Sequence, residues 1–117
     1  MAKRAAVAWV QTNVSDAGEA RALARAVVRA RLAACANVWP IESEYWWEGK
    51  VVHAREVVVH LKTSPGALRP LVAAVRRAHP YDVPYIEWGT ARGVDGAYAR
   101  WVSGEAGARP RGTRRRT

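Results

Sequence analysis

The 117-residue sequence has little cysteine, only Cys35, and it has no phenylalanine. With a single cysteine the chain can form no internal disulfide, and the paired-cysteine motifs of zinc and redox sites are excluded. No apolar stretch approaches the roughly 20 residues that span a bilayer. Residues 1–4 lead into a strand-like run and not into a secretory signal. These absences predict a cytoplasmic protein without a membrane partner.

Acidic residues are also scarce. The sequence has 10 of them and 19 lysines and arginines, which gives a net charge of +9. Five of the positive charges follow Glu105, at Arg109, Arg111, Arg114, Arg115 and Arg116. Segment 107–117 lacks apolar periodicity, which predicts a disordered basic tail after one domain at 1–106. The tail also supports an alternative function, a regulatory protein that binds nucleic acid or another polyanion.

Catalytic motifs are absent as well. The sequence contains no nucleophile elbow, glycine-rich phosphate loop or metalloprotease signature, and its histidines, His53, His60 and His79, lie in separate segments. We therefore expect no enzymatic activity. His79 ends a predicted helix, where it either caps the helix or binds a ligand. Cys35 is more typical of packing, but thiolate and imidazole suit copper, so Cys35 and His79 are the candidate metal ligands.

Apolar periodicity divides the chain into strands and helices. Strand patterns cover 5–12, 35–47, 50–63 and 85–91. Two helices, opened by Asp16 and Ser64, separate these strands, and a short helix containing Trp101 follows. Right-handed crossovers then predict an α+β fold, a ferredoxin-like βαββαβ sandwich with a short C-terminal helix.

The second and third predicted strands form a long hairpin that turns at Glu48 and Gly49. Arms of about a dozen residues reach roughly 40 Å, whereas a folded chain of this size has a radius of gyration of about 13 Å. The hairpin must overhang its own domain, and Pro40 should mark a bulge, a bend or an edge position. Its large aromatic side chains are Trp39, Tyr45, Trp46 and Trp47. Soluble monomers seldom expose such a surface, so we expect other copies of the chain to cover it.

Two charged residues share one face of the third predicted strand, six residues apart, Glu56 and Lys62. They are too far apart to pair along the strand. Each one either pairs with a neighbouring strand or contributes to a polar ligand pocket.

Five motifs follow one another along the chain: Arg31-Leu32-Ala33-Ala34-Cys35-Ala36-Asn37, Tyr45-Trp46-Trp47-Glu48-Gly49-Lys50, Glu56-Val57, Leu61-Lys62-Thr63 and His79-Pro80-Tyr81-Asp82-Val83-Pro84. In this order and spacing they resemble the CutA family of divalent-cation tolerance proteins, over roughly residues 7–102. The resemblance implies a tight homotrimer, similar to PII-type trimers, in which the hairpins wrap three sheets edge to edge. It also implies a role in tolerance of divalent metal ions, with copper or a small ligand as a possible partner.

The resemblance also bears on individual positions. The copper ligands described for the family correspond to Gln11, Ala78 and His79, so His79 alone keeps a ligand side chain. The acid that commonly follows the second proline is replaced by Tyr85, with Glu87 two residues later. A candidate pocket between subunits then comprises Glu56, Lys62, His79 and Tyr81.

Overall fold

A four-stranded antiparallel sheet organises residues 6–107, the part of the chain that the computed structural model describes. The strands are β1 (Val7–Val14), β2 (Cys35–Trp47), β3 (Lys50–Thr63) and β4 (Ile86–Ala91). The helices are α1 (Ala17–Arg29), α2 (Leu68–Ala78) and α3 (Gly96–Glu105). The strand order β2-β3-β1-β4 is that of a ferredoxin-like fold, so the predicted fold class is confirmed. Because 108–117 lie outside the described residues, the boundary between a domain at 1–106 and a tail at 107–117 stays a prediction.

The first strand is longer than its sequence pattern indicated. The strand pattern of the sequence ends at Thr12, where the turn-forming residues Asn13 and Ser15 follow, but β1 continues to Val14 because Asn13 and Val14 pair with Val58 and Val57 of β3. Tertiary pairing therefore overrides the local turn preference of this segment. The extension places Asn13 within the sheet.

Helix α1 begins with the capping pattern that the sequence predicted. The side chain of Asp16 accepts a hydrogen bond from the backbone N–H of Glu19 at 2.8 Å, and the Glu19 carboxylate accepts one from the hydroxyl of Ser15 at 2.6 Å. The Asp16 contact satisfies one of the backbone N–H donors that every helix start leaves open. The buried face of the helix carries Ala20, Leu23 and Val27.

The main hydrophobic core lies between the sheet and the first two helices. Alternate residues of β1 and β3 point into this core, and Leu71 and Val75 of α2 pack against them. The fully buried side chains of this core include Val10, Val59, Leu61, Leu71 and Val75. A smaller cluster of Val7, Ala99 and Val102 packs beneath α3. This cluster lies on the opposite face of the sheet from Val10, because Val7 and Val10 are an odd number of residues apart along β1.

The long hairpin extends beyond this core, as predicted. Glu48 and Gly49 form a two-residue turn with φ values of 52° and 79°, which matches the twist of a hairpin. Pairing runs unbroken from Trp47 opposite Lys50 to Cys35 opposite Lys62, so Pro40 marks an edge position and no bulge. The described chain measures 52 × 31 × 21 Å, with a radius of gyration of 15.8 Å. Its length therefore exceeds that of a compact domain of the same size.

A close contact between two strands gives the first testable prediction. Gly89 lies under the indole of Trp9, and an added Cβ would lie 2.8 Å from Cζ2 of that ring. We expect Gly89→Ala to lower the free energy of unfolding by about 1–3 kcal/mol, because overpacking displaces the stacked ring. Urea unfolding at one fixed protein concentration measures the difference.

Gly104→Ala is the matched control for this substitution. Gly104 lies in α3, and apart from its chain neighbours and the backbone of that helix, no heavy atom of residues 6–107 lies within 4 Å of a Cβ added there. Since alanine is favoured over glycine inside a helix by about 0.5–1 kcal/mol, the control should be neutral or stabilising. Equal stability of Gly89→Ala and the wild type would contradict the packing of Trp9 on Gly89.

Candidate functional site

A cavity of about 720 Å³ lies between the hairpin and the loop that precedes β4. Five aromatic side chains line it: Tyr45, Trp46, Trp47, Tyr81 and Tyr85. Two carboxylates, Glu56 and Asp82, lie among them. Within residues 6–107 no lysine, arginine or histidine lines the cavity. The site is therefore aromatic and acidic in a chain that is strongly basic overall.

Strand alternation and the end of α2 together build this cavity. Ile41 pairs with Glu56, and Tyr45 pairs with Val52, so the carboxylate and the phenol project from the same face of the hairpin. Helix α2 ends at Ala78 because the residue before a proline avoids the helical region, and His79 is extended with ψ of 132°. The chain that follows lines the cavity with Tyr81, Asp82, Val83 and Tyr85.

Three of the predicted site residues come together here: Glu56, His79 and Tyr81. The hydroxyl of Tyr81 donates a hydrogen bond to Oε2 of Glu56 at 3.2 Å. The imidazole of His79 packs edge-on against the Tyr81 ring, with centroids 4.7 Å apart. The loop after α2 is thus joined directly to the hairpin.

Both ring nitrogens of His79 already have partners. Nδ1 accepts a hydrogen bond from the backbone N–H of Tyr81 at 3.2 Å, which places the proton on Nε2. Nε2 then donates to the carbonyl oxygen of Asn13 at 2.8 Å. The imidazole is a structural link between β1 and the loop, and a metal ion would have to displace one of these contacts.

The environment of Tyr81 keeps its phenol protonated. Burial, together with the negative charge and the hydrogen bond of Glu56, raises the pKa of Tyr81 to about 12. The hydroxyl therefore remains a donor throughout the neutral range. Glu56 is only 9% exposed, so this donor stabilises a carboxylate that has little contact with water.

Asn13 adds an acceptor that lacks a donor. Its side chain lines the cavity, and within residues 6–107 no donor lies within hydrogen-bond distance of its buried Oδ1 atom. Leaving a buried acceptor unpaired costs about 1–3 kcal/mol.

Lys62 and Cys35 lie elsewhere in the protomer. They face each other across β2 and β3, and Nζ of Lys62 donates to Oδ1 of Asn37 at 3.0 Å. Lys62 is six residues from Glu56 along β3, a distance of roughly 20 Å. Within one protomer, Lys62 is therefore too far from Glu56 to share a pocket with it. Cys35 is likewise distant from the loop that holds His79. Among the described residues no group of three potential ligands could hold a metal ion.

Positions that depart from the family pattern form a second polar group on the same sheet face. Oε1 of Gln11 accepts a hydrogen bond from Nδ1 of His60 at 2.8 Å, and its Nε2 donates to the Tyr85 hydroxyl at 3.3 Å. That hydroxyl donates to the Glu87 carboxylate at 2.6 Å. The Trp9 ring stacks on His60 at a centroid distance of 5.7 Å. Gln11 is thus engaged within the fold.

The aromatic side chains of the hairpin lie largely in solvent in the protomer. Trp46 is 74% exposed, and the three others of the set, Trp39, Tyr45 and Trp47, are each more than 40% exposed. Trp88 of β4 and Trp101 of α3 are exposed to a similar extent. The protomer leaves a larger apolar surface uncovered than a monomer usually does.

The fold and the cavity define a small ferredoxin-like α+β protein with an overhanging hairpin. The chain belongs to the CutA1 family: the family model described as "CutA1 divalent ion tolerance protein" matches residues 8–105. The resemblance stated from the motifs is thereby confirmed.

Relatives and solved structures agree with this assignment. The chain is 33% identical over 94 residues to a divalent-cation tolerance protein CutA of Thermococcus kodakarensis, covering 80% of this chain and 90% of that protein. It is 37% identical over 97 residues to "Protein CutA 1, chloroplastic" of Oryza sativa, covering 82% of this chain and 54% of that protein. The crystal structure of CutA1 from Pyrococcus horikoshii has a TM-score of 0.82 at 32% identity, covering 86% of this chain and 99% of that one.

The comparisons do not fix a cellular compartment, since the rice relative is named as a chloroplast protein. In residues 6–107 no helix combines the length and apolar character needed to cross a membrane. The cytoplasmic location expected from the sequence stays a prediction.

The stacked histidine gives a prediction for pH dependence. Burial, and then the charge of Lys62, lowers the pKa of His60 from 6.5. Because the unfolded chain binds this proton more tightly, the free energy of unfolding should fall as pH drops below about 6.5. Urea unfolding at pH 7.5 and at pH 5.5 measures this loss of stability. The loss should be smaller in His60→Gln than in the wild type.

His53→Gln is the control, because His53 is exposed on the hairpin. It should keep the pH dependence of the wild type. An NMR titration midpoint of His60 at or above 6.5 would contradict the prediction.

Proposed function

We propose that the chain acts as a homotrimer in tolerance of, or response to, divalent metal ions, without catalysing a reaction. The exposed aromatic hairpin is the observation that carries this proposal. The family name supports the metal role, and trimer formation follows from the family resemblance together with the uncovered hairpin. Copper or another divalent cation, or a small ligand, is the proposed partner at the subunit interfaces.

The two edges of the sheet differ from each other, which favours subunit contacts in which one surface of a copy meets a different surface of the next. β2 and β4 are the two edges of the described sheet, and they are unlike in length and side chains. An edge strand leaves backbone donors and acceptors free to pair with another chain. Contacts between two different surfaces close into a ring when the rotation permits, which agrees with three copies and not with a simple two-fold dimer.

Trimer formation would also complete the candidate pocket. Glu56, His79 and Tyr81 lie at one end of the sheet face in a protomer, whereas Lys62 lies at the other. A neighbouring copy can supply its own Lys62 to this end. In the proposed trimer the pocket is therefore shared by two subunits, as the resemblance implies.

A metal site that uses both Cys35 and His79 also needs two copies of the chain. The donors Cys35 and His79 are separated within a protomer, and both nitrogens of His79 are hydrogen-bonded. A metal ion at His79 must replace a hydrogen bond that anchors the loop. We therefore expect any copper binding by His79 to be weak.

Polyanion binding through the basic tail remains the alternative. Its five arginines lie outside the described residues, so this function rests on the sequence alone. Deleting 107–117 should abolish salt-dependent binding of nucleic acid if the tail mediates it.

Light scattering tests the assembly. At micromolar concentration the mass should be three times the 12.9 kDa of one chain. Trp46→Asp should shift the protein towards monomers, because a charge at the most exposed indole cannot be buried in an interface without a partner. Ala73→Asp, on an exposed position of α2, is the control and should stay trimeric. A wild-type monomer would overturn the proposal.

Calorimetric titration with Cu(II) tests the metal role. We expect weak binding that is lost in His79→Ala and retained in His53→Ala. The reason is that His79 is the only side chain kept at the three family ligand positions. Identical titration curves for wild type and His79→Ala would exclude His79 as a ligand.

A further inference from the structure

We propose that the outer side of helices α1 and α2 is a docking surface for double-stranded DNA, bound through its phosphate backbone without reading the base sequence. This activity goes beyond the proposed role in metal tolerance, and it uses neither the aromatic hairpin nor the basic tail. The surface is called the arginine face here and comprises six side chains of the two helices: Arg21, Arg25, Arg29, Arg69, Arg76 and Arg77.

The six arginines point away from the sheet. At 3.6 residues per turn, Arg25 lies opposite the buried face of α1, and Arg21 and Arg29 lie about one turn to either side of it. This row extends over roughly 12 Å. In α2 the buried residues are Leu71 and Val75, and the three arginines of that helix lie on its other side. All six side chains are exposed.

No acidic side chain neutralises the arginine face. Neither of the two ion pairs found within residues 6–107 includes one of the six arginines. Glu19 is the one acidic residue of α1 and α2, and its carboxylate accepts hydrogen bonds from the hydroxyl and the backbone N–H of Ser15. Arginine stays protonated at all physiological pH values, so the face keeps six positive charges. Its guanidinium forks suit the oxygens of a phosphate.

The residues between the arginines favour a duplex over other polyanions. Exposed positions there carry small side chains, at Ala22, Ala26 and Ala73, which allow a phosphate backbone to approach closely. None of the exposed large hydrophobic residues lies on α1 or α2. Single strands are bound largely by stacking on aromatic rings, and helices that bind membrane surfaces insert apolar side chains. Duplex DNA needs neither, because its dense phosphates are bound by charge alone.

The proposed assembly leaves this surface free. Copies that associate through β2, β4 and the hairpin are added beside the sheet, whereas the arginine face lies on the outer side of the helices, away from the sheet. It also lacks the large apolar side chains that would need cover from a neighbour. A trimer therefore carries three copies of the face, and binding by more than one copy raises the apparent affinity.

Fluorescence anisotropy with a labelled DNA duplex is the direct test, using the full chain at several salt concentrations. The triple variant Arg21→Gln, Arg25→Gln and Arg29→Gln should weaken binding roughly tenfold or more, because three phosphate contacts are lost. It should also lower the slope of log affinity against log salt by roughly 2–3, since each contacted phosphate contributes about 0.9. Absence of duplex binding by the wild type would overturn the inference.

The matched control removes three positive charges from the tail, in the triple variant Arg114→Gln, Arg115→Gln and Arg116→Gln. It should keep the salt slope of the wild type. Equal losses in the two triple variants would show that only net charge matters. A loss confined to the tail variant would assign the binding to the tail. Either result would overturn the arginine face as the site.

A single substitution tests the part of the surface on α2. Ala73 lies exposed between Arg69 and Arg76, so the carboxylate of Ala73→Asp should repel phosphates and weaken duplex binding. Ala73→Asn is the neutral control of similar shape and should bind as the wild type does. Equal affinities of the two variants would contradict a docking surface that includes α2.

Two other probes decide the class of partner. A single strand of the same length, and vesicles that contain phosphatidylserine, should both bind more weakly than the duplex. Tighter binding of either one would overturn double-stranded DNA as the partner.

Light scattering on the same samples separates this inference from the proposed function. A monomer that binds duplex with the expected variant pattern would remove the trimer and keep the arginine face. A trimer that does not bind duplex would remove the arginine face as a docking surface and keep the assembly.

Discussion

The pairing of β2 with β3 continues for 13 residue pairs, well past the part of the sheet that the helices cover. A two-stranded ribbon is marginally stable by itself in water, so its outer half depends on contacts from elsewhere. In the protomer the loop after α2 contacts the ribbon through the hydrogen bond from Tyr81 to Glu56. The cavity and the exposed indoles of the hairpin both follow from this overhang.

Much of the fold could be predicted because the turn residues and the order of the predicted strands and helices indicate the same topology. The turn at Glu48 and Gly49 specifies the hairpin, and the order of strands and helices leaves few allowed topologies. The end of β1 could not be predicted, because Asn13 resembles a turn residue until its pairing with Val58 is known. Register and pairing partners are properties of the whole sheet and not of a short segment.

The candidate site was predictable only where its residues belong to local sequence motifs. Sequence motifs indicated Glu56, His79 and Tyr81, and the fold brings these three together. Asn13 and Asp82 were missed as cavity residues, because no local pattern shows that the loop folds back over the hairpin. Side chains that depart from the family pattern are joined to each other: Gln11 contacts Tyr85, which contacts Glu87. Gln11, where the family resemblance implies a thiol, is thus part of a hydrogen-bonded group that ends at the Glu87 carboxylate.

Pro40 affects how the edge of the sheet can pair with other strands. It occupies the middle of the exposed edge strand β2, between residues that pair fully with β3. Since proline has no backbone N–H, it interrupts the row of donors along which identical ribbons could add to one another. A break in this row of donors lowers the tendency of the exposed edge of β2 to template a cross-β stack.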